Sequence, residues 1–274
     1  MSSKKTTGPS SRDDARALAA TMRAEQAARE KRVKLVTISA FGVAVVALVV
    51  AIVWAVVASR PVTLPEPAEL TTPSVVSDSG GISVGAEGAA GTATEGAPVI
   101  DLYLDYMCTW CGTFEETNGE LVKKWREAGE VTVVFHPVTI LDRFSRGTSY
   151  STRAAAAAVW VAERSPAQFD AFNAAMFANQ PEENTKGLSD RQIADIATGV
   201  GVPEDVANGI ASRESYTRYA RWVGSQTEQA SANPKLLTEG SFSTPTVVVG
   251  GEKFTGDWRD QTQLRAAVDA AAQR

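Results

Sequence analysis

The chain has 274 residues with 27 Lys or Arg, 32 Asp or Glu, one His and two Cys, for a formal net charge of -5. Two cysteines and one histidine exclude zinc fingers and other Cys- or His-rich centres, so no metal site is expected. The charge is uneven: residues 1–34 hold nine basic and four acidic residues, about +5, which leaves an acidic remainder of about -10 that matches nucleic acid poorly.

Leu35 to Ala58 is a 24-residue run without a charge, broken only by Thr37, Ser39 and Gly42. As a helix it is about 36 Å long, enough to cross a hydrocarbon core of about 30 Å. A cleaved signal peptide is the rival reading, with Val56-Val57-Ala58 as its cleavage site. The run exceeds the about 7–15 apolar residues of a signal and follows a long polar tail, which favours an uncleaved anchor. Arg29, Lys31, Arg32 and Lys34 crowd its N-terminal flank, whereas no Lys or Arg lies between Arg60 and Lys123. By the positive-inside rule residues 1–34 are a cytoplasmic tail, 35–58 a single transmembrane helix, and the rest of the chain is outside the cell membrane. Asp13 to Lys34 has a helix-favouring composition that could continue the helix inward, but a solvated basic anchor near anionic lipid is the favoured reading.

Residues 61–97 contain Pro61, Pro65, Pro67, Pro73, six glycines and no aromatic residue, the composition of a stalk. Within it the alternation Ile82-Ser83-Val84 suits a short edge strand. The flexible linker is therefore expected over 59–81 and a folded domain over 82–274.

Val99 to Leu104 reads as a buried strand that empties into Asp105-Tyr106-Met107-Cys108-Thr109-Trp110-Cys111-Gly112. Phe114, Leu121, Val122 and Trp125 then recur at helical spacing up to Gly129, a natural helix stop, and Val131 to Phe135 reads as another strand. A β-α-β unit thus carries Cys-x-x-Cys at its helix start. Unpaired N–H groups and the positive end of the helix dipole favour a thiolate at Cys108, the member expected to be exposed. Cys111, one turn deeper, is placed to resolve a mixed disulfide. A purely structural disulfide would close too small a loop to stabilise much, and half a metal site lacks partners, so redox chemistry is favoured. His136, at the strand end, is read as structural.

From about 143 to 237 the pattern is helical. Arg153 to Val161 is a strong helix former; Ser165-Pro166-Ala167-Gln168 and Ser189-Asp190-Arg191-Gln192 read as helix starts. Ala207 to Ala232 holds one long helix or a broken pair. Phe169, Phe172, Phe177 and Trp222 are expected in a core. Ser243-Thr244-Pro245 precedes the strand Thr246 to Val249, a Gly250-Gly251 hairpin and a returning strand, and Trp258 to Arg274 reads as a terminal helix.

The Cys-x-x-Cys junction together with Thr244-Pro245-Thr246 resembles the DsbA-like thiol-disulfide oxidoreductases of the thioredoxin superfamily, including the membrane-tethered actinobacterial type. The resemblance runs from about Ile82 to the C-terminus and implies an α/β thioredoxin-like fold with an inserted helical domain, preceded here by a single N-terminal transmembrane helix. It implies Cys108 and Cys111 as catalytic residues, with Thr244, Pro245 and Trp110 binding substrate, Pro245 being cis and lying beside the sulfur pair. It further implies disulfide formation in exported proteins, no bound cofactor, and re-oxidation by a quinone-linked membrane partner similar to vitamin K epoxide reductase. An isomerase or reductase using the same site, and a tethered binding or chaperone-like module, are the alternatives. The well-known oxidases have Pro-His between the cysteines where this chain has Thr109-Trp110, which leaves the helix terminus as the main identified source of thiolate stabilisation.

Overall fold

The computed structural model describes residues 11–58, 64–77 and 79–274. The chain forms two units, 1–60 and 61–274, each described by itself. In the first, α1 runs over Ser11–Ala58. Its large apolar side chains between Val36 and Val53 are exposed, so the helix is apolar around its whole circumference there. Among the described residues it is the one helix long and apolar enough to cross a membrane.

The second unit is built on a five-stranded mixed sheet in the order β1-β3-β2-β4-β5, from β1 (Ile82–Val84), β2 (Val99–Leu104), β3 (Thr132–Pro137), β4 (Thr246–Val249) and β5 (Glu252–Lys253). The central pair β2 and β3 is parallel and its neighbours are antiparallel. Parallel pairing needs a crossover. It is α2 (Thr109–Glu127), which ends as the sequence predicts. Gly129 takes a φ of 73° and the N–H of Glu130 reaches back to Trp125 O at 2.8 Å, the hydrogen bond of a Schellman stop. Between β4 and β5, Gly250 and Gly251 have φ of 58° and 81°, which a two-residue hairpin of this hand requires.

Between β3 and β4 the chain leaves the sheet to form α3 (Tyr150–Arg164), α4 (Phe169–Ala178), α5 (Asp190–Gly199), α6 (Glu204–Ala211) and α7 (Glu214–Ala232). Ala154 to Ala158 of α3 are all fully buried, the small side chains letting neighbouring helices approach. Phe169, Phe172, Phe177 and Trp222 are buried as expected. Ser189 and Gln192 form the capping box that opens α5. The start at Ser165 differs from the expected cap: its hydroxyl donates to Gln168 Oε1 at 2.7 Å, and a 3-10 turn over Pro166–Gln168 precedes α4. The stretch 207–232 is a broken pair, interrupted at Arg213 with φ of 67°. The terminal helix is α8 (Gln261–Ala272), which buries Leu264 and Val268.

Composition misjudged residues 64–97. Of the expected linker, 59–63 and 78 lie outside the described residues, but from Ala68 the chain is fastened to the helices. The N–H of Ala68 donates to Thr217 O at 2.7 Å, and Ser74 donates through its N–H and hydroxyl to Glu163. Residues 85–97 are also packed: Thr92 and Thr94 hydroxyls accept the N–H groups of Gly85 and Ala86, and Arg126 donates to Gly85 O at 2.9 Å. Ile82, Val84 and Ala90 are buried in the core, with Val75 and Val76 packed against it, and hydrogen bonds fasten the polar residues between them, so the low overall hydrophobic content passes over the segment.

Candidate functional site

The site forms where β2 ends and α2 begins. Asp105 makes the turn: its Oδ1 accepts the Met107 N–H at 2.9 Å and the Ser151 hydroxyl at 2.7 Å, while Oδ2 accepts the Leu141 N–H at 2.9 Å. One fully buried carboxylate thus pins the turn, the loop after β3 and α3 together. Its acid form is favoured, with a pKa pushed up to about 7 by burial against these stabilising hydrogen bonds. The Asp105 N–H lies 3.5 Å from Cys111 Sγ.

Cys108 is the N-cap residue of α2, and its carbonyl starts the helix by accepting from Cys111 and Gly112. The same carbonyl accepts from Gln180 Nε2 at 2.8 Å, and Gln180 also donates to Tyr106 O. This approach needs a glycine after the second cysteine, because a Cβ on Gly112 would stand 2.2 Å from Gln180 Oε1. Both cysteines are free thiols, so the site is in its dithiol form. Cys111 is fully buried and Cys108 is 4 % exposed, which corrects the expectation of an exposed Cys108. Gln180 on one side and the loop before β4 on the other close over it.

That loop carries a cis Thr244-Pro245 bond, and Thr244 O lies 3.4 Å from Cys108 Sγ. The fold therefore brings Cys108, Cys111 and Thr244 together across 136 positions of sequence, with Pro245 the next residue. Trp110 points outward and is 54 % exposed. Arg259 lies 5.0 Å from its ring centroid and 4.6 Å from that of Trp258, giving a cation-π stack at the rim.

The Cys108 pKa is lowered to about 6. The hydrogen bond from Cys111 contributes most; Thr244 and the N–H groups of Cys111 and Trp110 add to it, and burial opposes it. The helix terminus is therefore a lesser source than the sequence suggested, and part of it is taken: Glu183 Oε1 accepts the Thr109 N–H at 3.1 Å. Burial holds the Cys111 thiol well above its ordinary value. One sulfur ionises easily and its neighbour keeps its proton, the division of labour that exchange through a mixed disulfide requires.

The family model described as Thioredoxin matches residues 89–270. The chain belongs to the thioredoxin family. No curated protein sequence matches it. Among solved structures, DsbA from Mycobacterium tuberculosis in its reduced form is 28 % identical with a TM-score of 0.54, covering 70 % of this chain and 98 % of that one. A reduced disulfide bond oxidoreductase (DsbG) from the same organism is 29 % identical, with a TM-score of 0.53 and coverage of 70 % and 92 %. The fold is shared by MdbA, a thiol-disulfide oxidoreductase from Corynebacterium diphtheriae, at 22 % identity, a TM-score of 0.57 and coverage of 74 % and 95 %. This thioredoxin-family chain is accordingly a DsbA-like thiol-disulfide oxidoreductase.

Gln180, Glu183, Asp105 and Arg259 are site neighbours that sequence reasoning missed. Only Asp105 left a local signal, an Asp whose side chain accepts the N–H two residues on. His136 takes a structural place, stacked on Tyr103 at 4.1 Å and bonded to Asp101 at 2.9 Å.

Glu115, one turn beyond Cys111, has its carboxyl raised to about 7 by burial, then by Asp170 and Glu120. The unfolded chain releases this proton near pH 4.5 and the folded chain near 7, so stability falls as pH rises between those values and is level above them. Glu115→Gln should remove that decline and raise stability at pH 8 by about 3 kcal/mol, read from urea midpoints at pH 5 and 8. An unchanged pH dependence would contradict the assignment.

Proposed function

We propose that this protein is a membrane-tethered, extracytoplasmic oxidoreductase that forms disulfides in exported proteins, with Cys108 as nucleophile and Cys111 as its partner. The single observation that carries the reading is the Cys108 sulfur, of lowered pKa, flanked by buried Cys111 and the Thr244 carbonyl. The chemistry starts from the Cys108-Cys111 disulfide. A substrate thiolate attacks Cys108 Sγ, the bond to Cys111 breaks, and Cys111 takes up a proton. A second substrate thiolate then attacks the substrate sulfur of the mixed disulfide and expels Cys108 as a stable thiolate. The substrate loses two electrons and the protein is left as the dithiol. A low pKa makes Cys108 a good leaving group, which favours the oxidising direction.

Thr244 and Pro245 would hold an extended substrate segment beside Cys108, and Trp110 would supply an exposed aromatic contact at the rim. The basic flank of α1 and the long stretch without Lys or Arg after Arg60 support a cytoplasmic N-terminus and an external catalytic unit. Re-oxidation would pass two electrons to a quinone-linked membrane partner similar to vitamin K epoxide reductase.

Trapping tests the reading. Cys111→Ser leaves Cys108 unable to resolve a mixed disulfide internally, so exported proteins should accumulate on Cys108 and be released by reductant. Failure to trap any exported protein would contradict it. The reduction potential gives the direction: a value near about -120 mV fits an oxidase, whereas one near about -270 mV fits a reductase.

A further inference from the structure

On the face of α2 turned toward α4 lies a cavity of about 720 Å³. Its lining includes Leu102 of β2, Val133 and Phe135 of β3, and Phe177 of α4, all buried apolar side chains. That volume falls in the about 300–1,000 Å³ range of small-molecule pockets. The rim is charged and the charges do not balance. Arg126 is committed to Gly85 O and to Asp170 Oδ2 at 3.0 Å, and Lys123 also acts on Asp170. Glu115, mostly buried, makes no hydrogen bond or ion pair with the described residues, and the charges acting on it, Asp170 and Glu120, have its own sign.

The helix makes room for this carboxylate. Gly119 sits inside α2, where glycine costs about 1 kcal/mol relative to alanine, and a Cβ there would stand 2.7 Å from Glu115 Oε1. A buried carboxylate without a counter-ion, kept open by a helix-weakening glycine at the mouth of an apolar cavity, is arranged for a cation that brings its own apolar body. We propose that this cleft binds a small cationic amphiphile, its ammonium or guanidinium group against Glu115 and its hydrocarbon or aromatic part over Leu102, Val133 and Phe135. At one end the cavity reaches the exchange site, where Thr109, Gly112 and Gln180 line it, but Glu115 and the apolar floor lie outside the contacts that lower the Cys108 pKa.

The test compares 4-phenylbutylamine with its neutral counterpart 4-phenylbutan-1-ol by titration calorimetry on the full chain in lipid nanodiscs, with empty nanodiscs as reference. The amine should bind saturably and at least tenfold more tightly than the alcohol at pH 8. Glu115→Gln should bring the two within about twofold, and Glu116→Gln, on the exposed rim, should leave the preference intact. Gly119→Ala, which crowds the carboxylate without removing it, should reduce the preference and covers the case in which Glu115→Gln does not fold. Absence of saturable amine binding, equal affinity for amine and alcohol, or a preference that survives both Glu115→Gln and Gly119→Ala would overturn the proposal.

Discussion

Cys108→Ser is expected to slow oxidation of a dithiol peptide by at least about a thousandfold, the scale on which removing a nucleophile acts in other covalent mechanisms. The reason is positional. Cys111 is fully buried, has its proton held by that burial, and faces the Asp105 N–H, so it cannot take over the exchange. Folding should be nearly unaffected, because residue 108 is held through its backbone, its N–H on Asp105 O and its carbonyl accepting from Gln180, Cys111 and Gly112 whatever the side chain. Mass-spectrometric timing of peptide oxidation, beside a urea midpoint, separates the two effects. A tethered binding module with an incidental disulfide would lose nothing in substrate association from this change, and retention of exchange would remove Cys108 from the chemistry.

Asp105→Ala is expected to be the most damaging substitution for stability around the site. Two buried N–H groups, those of Met107 and Leu141, and the Ser151 hydroxyl lose their acceptor at once. With about 1–3 kcal/mol for each of the three buried donors left unsatisfied, the loss is about 3–9 kcal/mol, a large part of the about 5–15 kcal/mol that holds a typical domain together. The damage is placed where it matters, since the same turn delivers Cys108 to the start of α2 through the bond from the Cys108 N–H to Asp105 O at 2.9 Å. A fall in the urea midpoint of that size, at a pH below 6 where the carboxyl is neutral, checks it. A change under about 0.5 kcal/mol would mean that the surrounding loop re-satisfies these donors.

What the sequence disclosed were the features with local physical causes. The strand of Val99 to Leu104, the helix stop at Gly129, the capping box of Ser189 and Gln192, and the Gly250-Gly251 hairpin each rest on residues within one turn of each other. The Cys-x-x-Cys junction and the proline before β4 were visible separately, and the resemblance joined them. What stayed hidden depends on partners far apart in the chain. Nothing near Gln180 or Glu183 marks them as neighbours of Cys108 and Thr109. Thr92, Thr94 and Ser74 looked like stalk residues because their contribution is a hydrogen bond, to loop backbone N–H groups for the two threonines and to the distant Glu163 carboxylate for Ser74. The exposure of Cys108 was overestimated for the same reason, since the loops that cover it come from more than 70 positions downstream. Arg213, where the helix over 207–232 breaks, pairs with Asp190 at 2.6 Å, again a contact no periodicity encodes.

Exchange rests on a division between two sulfurs, and the pH dependence of alkylation measures it directly. In the reduced protein, iodoacetamide should label Cys108 first, with a rate that rises through an inflection near pH 6, while Cys111 stays unlabelled to pH 8. An inflection near pH 9 at Cys108, or equal labelling of Cys111, would contradict it.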